Sequence, residues 1–175
     1  MLRRGFLAVL MAVALVGCDD DDNPLDPADP NVVTFTAQLS AANEVPPITN
    51  AESTARGDVS IVFNLTRDAG NNITGATASF TVNLNSFPAG STWTLAHIHV
   101  GNAGVGGGVV VNTGLTPGTA VSLTNGGVQN HQFNNIAITD ATLVNNIVNN
   151  PAGYYFNVHT ALNGTGAVRG QLVRQ

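Results

Sequence analysis

Of the four histidines in the chain, two stand two residues apart in Ala96-His97-Ile98-His99-Val100-Gly101. On an extended strand residues i and i+2 share a face, so His97 and His99 would project side by side. A third, His159, lies in Tyr154-Tyr155-Phe156-Asn157-Val158-His159-Thr160, where it alternates with Tyr155 and Asn157. If the two strands are neighbours, three imidazoles converge. An H-x-H pair with a distant third histidine is a common way to hold copper or zinc with one position left open. Imidazole, with an ordinary pKa near 6.5, is neutral and able to ligate at neutral pH. The same three rings can instead form a structural network, hydrogen-bonded to backbone carbonyls, Asn157 or a tyrosine hydroxyl. Spacing leaves both readings open. His131 is a conceivable fourth ligand, but its polar, loop-like surroundings point to solvation.

A second pointed residue is Arg169, set among apolar neighbours in Ala167-Val168-Arg169-Gly170-Gln171-Leu172. A guanidinium in such company usually has a carboxylate partner, and Glu44 in Asn43-Glu44-Val45-Pro46-Pro47 is the candidate for a structural ion pair. The functional alternative is that Arg169 draws anions toward the histidines. Gly101-Asn102-Ala103-Gly104-Val105-Gly106-Gly107-Gly108 superficially resembles a phosphate loop, yet it falls between two strands, with no helix and no lysine after it. It reads as a flexible turn. No nucleophile elbow accompanies the serines, and no catalytic residue is assigned.

The elements that must position these groups are short β-rich runs punctuated by Gly, Asn, Pro and Asp, the pattern of an all-β sandwich or barrel. Strands are expected at 33–40, 57–66 and 73–84, the last two closed into a hairpin by Arg67-Asp68-Ala69-Gly70-Asn71-Asn72. Further strands are expected at 93–100, 109–112, 120–124, 132–138, 154–160 and 167–173. In the strand 93–100, strict alternation puts Trp93, Leu95, His97 and His99 on one face and Ala96, Ile98 and Val100 on the other. One short helix is expected near 140–149, with Leu143, Val144, Ile147 and Val148 on one face, Thr139 or Asp140 as cap, and Pro151 beyond its end.

The N-terminus sets the expected compartment. Arg3 and Arg4 precede an apolar run from Phe6 to Val16 that is too short to span a bilayer and has the layout of a secretory signal. Leu15-Val16-Gly17-Cys18 resembles the lipobox of bacterial lipoproteins, which implies cleavage after residue 17 and acylation of Cys18, the one cysteine of the chain. Asp19 to Pro30 carries six aspartates and three prolines and cannot bury enough to offset its ordering entropy, so residues 18–31 read as an acidic tether. The expected organisation is a signal peptide over 1–17, this tether, and one domain over 32–175. Its expected place is the cell envelope, lipid-anchored on the periplasmic or cell-surface side.

The whole chain has a net charge of −5, but the domain itself is nearly neutral. It carries Glu44, Glu52, Asp58, Asp68 and Asp140 against Arg56, Arg67, Arg169 and Arg174. Without a basic stripe a phosphate backbone has nothing to bind, which argues against nucleic acid as a partner.

Taken together, Asn43-Glu44-Val45-Pro46-Pro47, Ala96-His97-Ile98-His99-Val100-Gly101, Tyr155-Phe156-Asn157-Val158-His159-Thr160 and Arg169-Gly170-Gln171-Leu172 resemble the signature of the CHRD domain. That domain is named from the extracellular protein chordin and occurs in many microbial secreted proteins. The resemblance runs from about Thr34 to Val173. It implies an extracytoplasmic, immunoglobulin-like antiparallel β-sandwich or barrel, distantly similar to Cu/Zn superoxide dismutases, and a possible extracellular protein partner. By the same resemblance, His97 and His99 match an H-x-H copper pair, His159 a later copper histidine, and Arg169 the arginine near that copper. The zinc loop and disulfide of those enzymes have no counterpart here. Two functions are therefore expected as alternatives: a non-catalytic binding or structural module, or a copper- or zinc-binding protein with a redox or metal-handling role.

Overall fold

The computed structural model describes residues 29–175. The expected signal peptide, Cys18 and nearly all of the tether lie outside the described residues. Ten strands form one sheet: β1 Val32–Ser40, β2 Arg56–Arg67, β3 Ile73–Asn85, β4 Ser91–Val100, β5 Val109–Asn112, β6 Val121–Leu123, β7 Val128–Ile138, β8 Tyr154–Thr160, β9 Val168–Gln171 and β10 Val173–Arg174. Among the described residues one α-helix, α1, spans Ala141–Asn149. The fold is all-β, as expected, and the sheet is nearly closed on itself like a barrel.

The main order is β5-β4-β8-β9-β1-β2-β3-β7, with β6 pairing a second stretch of β4 and β10 pairing β1. Alternation in β1, β2 and β3 aligns apolar rows across the sheet: Phe35 pairs Ile61, which pairs Phe80, and Ala37 pairs Val59, which pairs Val82. These side chains are fully or almost fully buried, and each large one contributes roughly 1.5–3 kcal/mol relative to exposure. Opposing walls meet inside: the Phe80 ring of β3 lies 5.8 Å from that of Phe156 on β8. The seam between the sheet's two ends is filled by Trp93 of β4, edge-on to Phe133 of β7 at 5.6 Å.

Trp93 corrects the expected alternation of β4. The β4–β8 register shifts between Trp93 and Leu95: Trp93 pairs Thr160, whereas Leu95 pairs His159. A bulge adds one residue to one strand, so the phase of every side chain beyond it changes. Trp93 therefore enters the core with Ala96 and Ile98, while Leu95, His97 and His99 point outward. The indole Nε1–H donates to the Leu95 carbonyl at 2.9 Å, bridging the bulge.

Helix α1 begins where Asp140 accepts a hydrogen bond from the Leu143 N–H at 3.0 Å, an N-cap that satisfies an otherwise unpaired donor. It ends before Pro151, which opens a 3-10 turn. Val144, Ile147 and Val148 are its buried face. The expected strand 167–173 is split into β9 and β10, since Leu172 donates its N–H to the Tyr154 carbonyl at 3.0 Å instead.

Candidate metal centre

Strands β4 and β8 are adjacent and antiparallel, with His97 opposite Asn157, His99 opposite Tyr155, and Leu95 opposite His159. Directly opposed residues share a face, so His97, His99, Asn157 and His159 stand together outside the barrel. Next to β8, Arg169 and Gln171 of β9 oppose Asn157 and Tyr155. The outer side of a barrel is ordinarily wet, yet His97, His99, His159, Asn157 and Arg169 are all buried. Three loops cover them: 41–55, 101–108 and 161–167.

The three imidazoles converge. One ring nitrogen from each of His97, His99 and His159 lies within 4.8 Å of the others, and His97 Nδ1 is 3.3 Å from His159 Nε2. Two ligand nitrogens at about 2.0–2.1 Å on a tetrahedral zinc are themselves about 3.3 Å apart. The outward nitrogens are held as well. His99 Nδ1 donates to the Gly107 carbonyl at 2.9 Å and His159 Nδ1 to that of Gly164 at 3.1 Å. Such bonds fix the tautomer, leaving each Nε2 with its lone pair and its direction set. His99 Nε2 is buried and has no partner.

The carbonyls are themselves positioned. Gly107 belongs to the glycine-rich run, which is pinned rather than loose. Its N–H donates to the Tyr155 hydroxyl at 3.1 Å, and Arg169 Nη2 donates to the carbonyls of Val105 at 3.0 Å and Asn102 at 3.2 Å. A side chain at Gly107 would drive its Cβ into the Val100 carbonyl. The Gly164 loop is tied to Glu52, only 1 % exposed, whose Oε2 accepts from the Thr160 hydroxyl and Asn163 Nδ2, each at 2.6 Å. Glu52 was not singled out from the sequence, since it lies far from every motif and nothing local marks it as buried.

Arg169 stacks on Tyr155, its Cζ 3.6 Å from the ring centroid, and Tyr155 stacks in turn on His99 at 4.9 Å. Its Nη2 hydrogen bonds go to the two carbonyls and to Gln171. On Glu44 it acts through charge. Burial pushes the Glu44 carboxyl up to about 7, against the opposing pull of Arg169 and of the Asn157 side chain. Burial likewise lowers all three histidines: His97 falls to about 4, helped by His159 and His99, and His99 and His159 also fall below the usual imidazole value. All three are thus neutral at neutral pH, the form that ligates metal.

His131 stays outside this group. It pairs Val82 from β7 and lies edge-on to Trp93 at 5.1 Å.

The CHRD-domain family model matches residues 35–172. The chain belongs to the CHRD-domain family. The match includes every residue of the histidine cluster together with Glu44, Glu52 and Arg169, so the buried outer face is part of the CHRD domain itself. Membership supports a binding or structural module. Neither curated proteins nor solved structures gave a match.

Proposed function

We propose that this CHRD-domain protein is a non-catalytic module of the cell envelope, anchored through acylated Cys18, that binds one copper or zinc ion through His97, His99 and His159. The observation that carries the metal reading is the convergence of one ring nitrogen from each of His97, His99 and His159 within 4.8 Å, together with the buried, unpartnered Nε2 of His99. A self-sufficient hydrogen-bonded network would leave no buried nitrogen bare. The His97–His159 hydrogen bond is what a metal-free site makes while its ligands wait. The anchor rests on the arginines, apolar run and lone cysteine at the N-terminus.

Metal analysis of the purified full-length protein after copper or zinc loading tests the site. One equivalent in the wild type and less than a tenth in His97→Ala/His99→Ala is expected. Sub-stoichiometric metal in both overturns it. Incorporation of a labelled fatty acid, lost on Cys18→Ser, tests the anchor.

A further inference from the structure

Among the described residues, three buried side-chain atoms lack a hydrogen-bond partner: Glu44 Oε1, His99 Nε2 and Asn157 Oδ1. Two of them share the face of the histidine cluster. Asn157 opposes His97 in register and precedes His159 by two residues on the same face. Glu44 meets that amide on its Nδ2 side, since a Cβ at Gly166 would stand 2.7 Å from both Asn157 Nδ2 and Glu44 Oε2. The bare atoms of His99 and Asn157 have the same character. His99 spends its N–H on Gly107, leaving a lone pair at Nε2, and an amide oxygen accepts.

A bare buried acceptor is costly, about 1–3 kcal/mol each. A ligand that answers both must offer an empty orbital to a nitrogen and a proton to an oxygen. A hydrated metal ion does both. Three histidines leave a fourth position open, and the usual occupant is water, whose protons need acceptors.

We propose that Asn157 Oδ1 accepts a hydrogen bond from the water at the fourth position of the metal held by His97, His99 and His159. This rests on the metal reading above. Asn157 is a positioning residue: it touches the water rather than the metal, and it decides how readily another ligand replaces it. An amide oxygen favours water, which brings protons, over an anion, which brings none, so the site discriminates against anionic ligands.

The full-length protein loaded with cobalt(II), whose visible bands report the ligand set, is titrated with azide, an anion that competes for the water position. Azide is expected to bind about tenfold tighter in Asn157→Leu and about tenfold weaker in Asn157→Asp, in the range typical of residues that support a metal site. The opposite signs at one position separate this role from simple loosening of the fold. The near-isosteric Asp variant carries the test if the Leu variant does not fold. Azide affinities within twofold of wild type in the variants, with cobalt bound stoichiometrically, overturn the proposal and leave the metal site standing. A wild type that takes up no cobalt overturns both.

Discussion

His159 Nε2 lies 3.3 Å from His97 Nδ1, although 62 residues separate the two in the chain. The contact exists because β8 pairs β4 antiparallel, and because the bulge beyond Trp93 turns Leu95, His97 and His99 outward together. In the metal-free protein that contact is a hydrogen bond; with a metal it becomes the distance between two ligands.

Metal binding should therefore stabilise the fold. At zinc concentrations about 100-fold above Kd the added stability is about 2.7 kcal/mol, which raises Tm by about 5–10 °C for a domain of this size. Differential scanning calorimetry should show that rise in the wild type and none in His97→Ala/His99→Ala. A wild-type Tm insensitive to zinc and to copper would contradict the site.

The stability of the metal-free protein should depend on pH along two opposed curves. His97, lowered from 6.5 to about 4, contributes stability that is fully present above pH 6.5 and disappears as pH falls through 4. His99 and His159 act in the same sense. Glu44, raised from 4.5 to about 7, contributes stability present below pH 4.5 that is lost as pH rises through 7. Urea midpoints should thus fall between pH 6.5 and 4, less steeply in His97→Asn. Glu44→Gln should be the more stable chain at pH 8, with the difference closing by pH 4.5. A pH-independent gap between Glu44→Gln and wild type would show that Glu44 is not held against ionisation.

Glu52 should support the site from a distance. Glu52→Ala removes two short bonds to a buried carboxylate, for an expected loss of about 3 kcal/mol. By freeing the loop that carries the Gly164 carbonyl, it should also weaken metal binding about 10- to 100-fold. Isothermal titration with zinc reads the second effect on folded protein, and Glu52→Gln should recover part of both. Wild-type zinc affinity in a folded Glu52→Ala variant would sever this link.

The bulge in β4 makes Trp93 and Leu95 unequal. Trp93→Ala should cost about 3–5 kcal/mol, because the ring fills the seam of the barrel. Leu95→Ala, on the outer and partly open face, should cost about 1 kcal/mol. Similar losses in chemical denaturation would mean that both side chains lie on the same face.

Much of the fold was legible because alternation is a local signal. Phe35, Ala37 and Leu39, then Val59, Ile61, Phe63 and Leu65, fall on the core face as their spacing dictates. The hairpin β2–β3 and the Asp140-capped helix follow from neighbours within a few residues. The Trp93 face was not legible, since a bulge depends on the partner strand and leaves no mark in β4 alone.

The sequence by itself determined which chemistry was possible. Its H-x-H pair, third histidine, single cysteine and scarcity of charge restrict the choices, and four ordered motifs define the family. The tertiary structure alone decided which nitrogens meet, which carbonyls hold them, and which acceptors stay bare. Those facts depend on strand neighbours and on loops folded back over the sheet. His97 and His159, Glu44 and Asn157, and Glu52 and Asn163 become partners only when backbone pairing carries them across the chain, and no local preference encodes that distance.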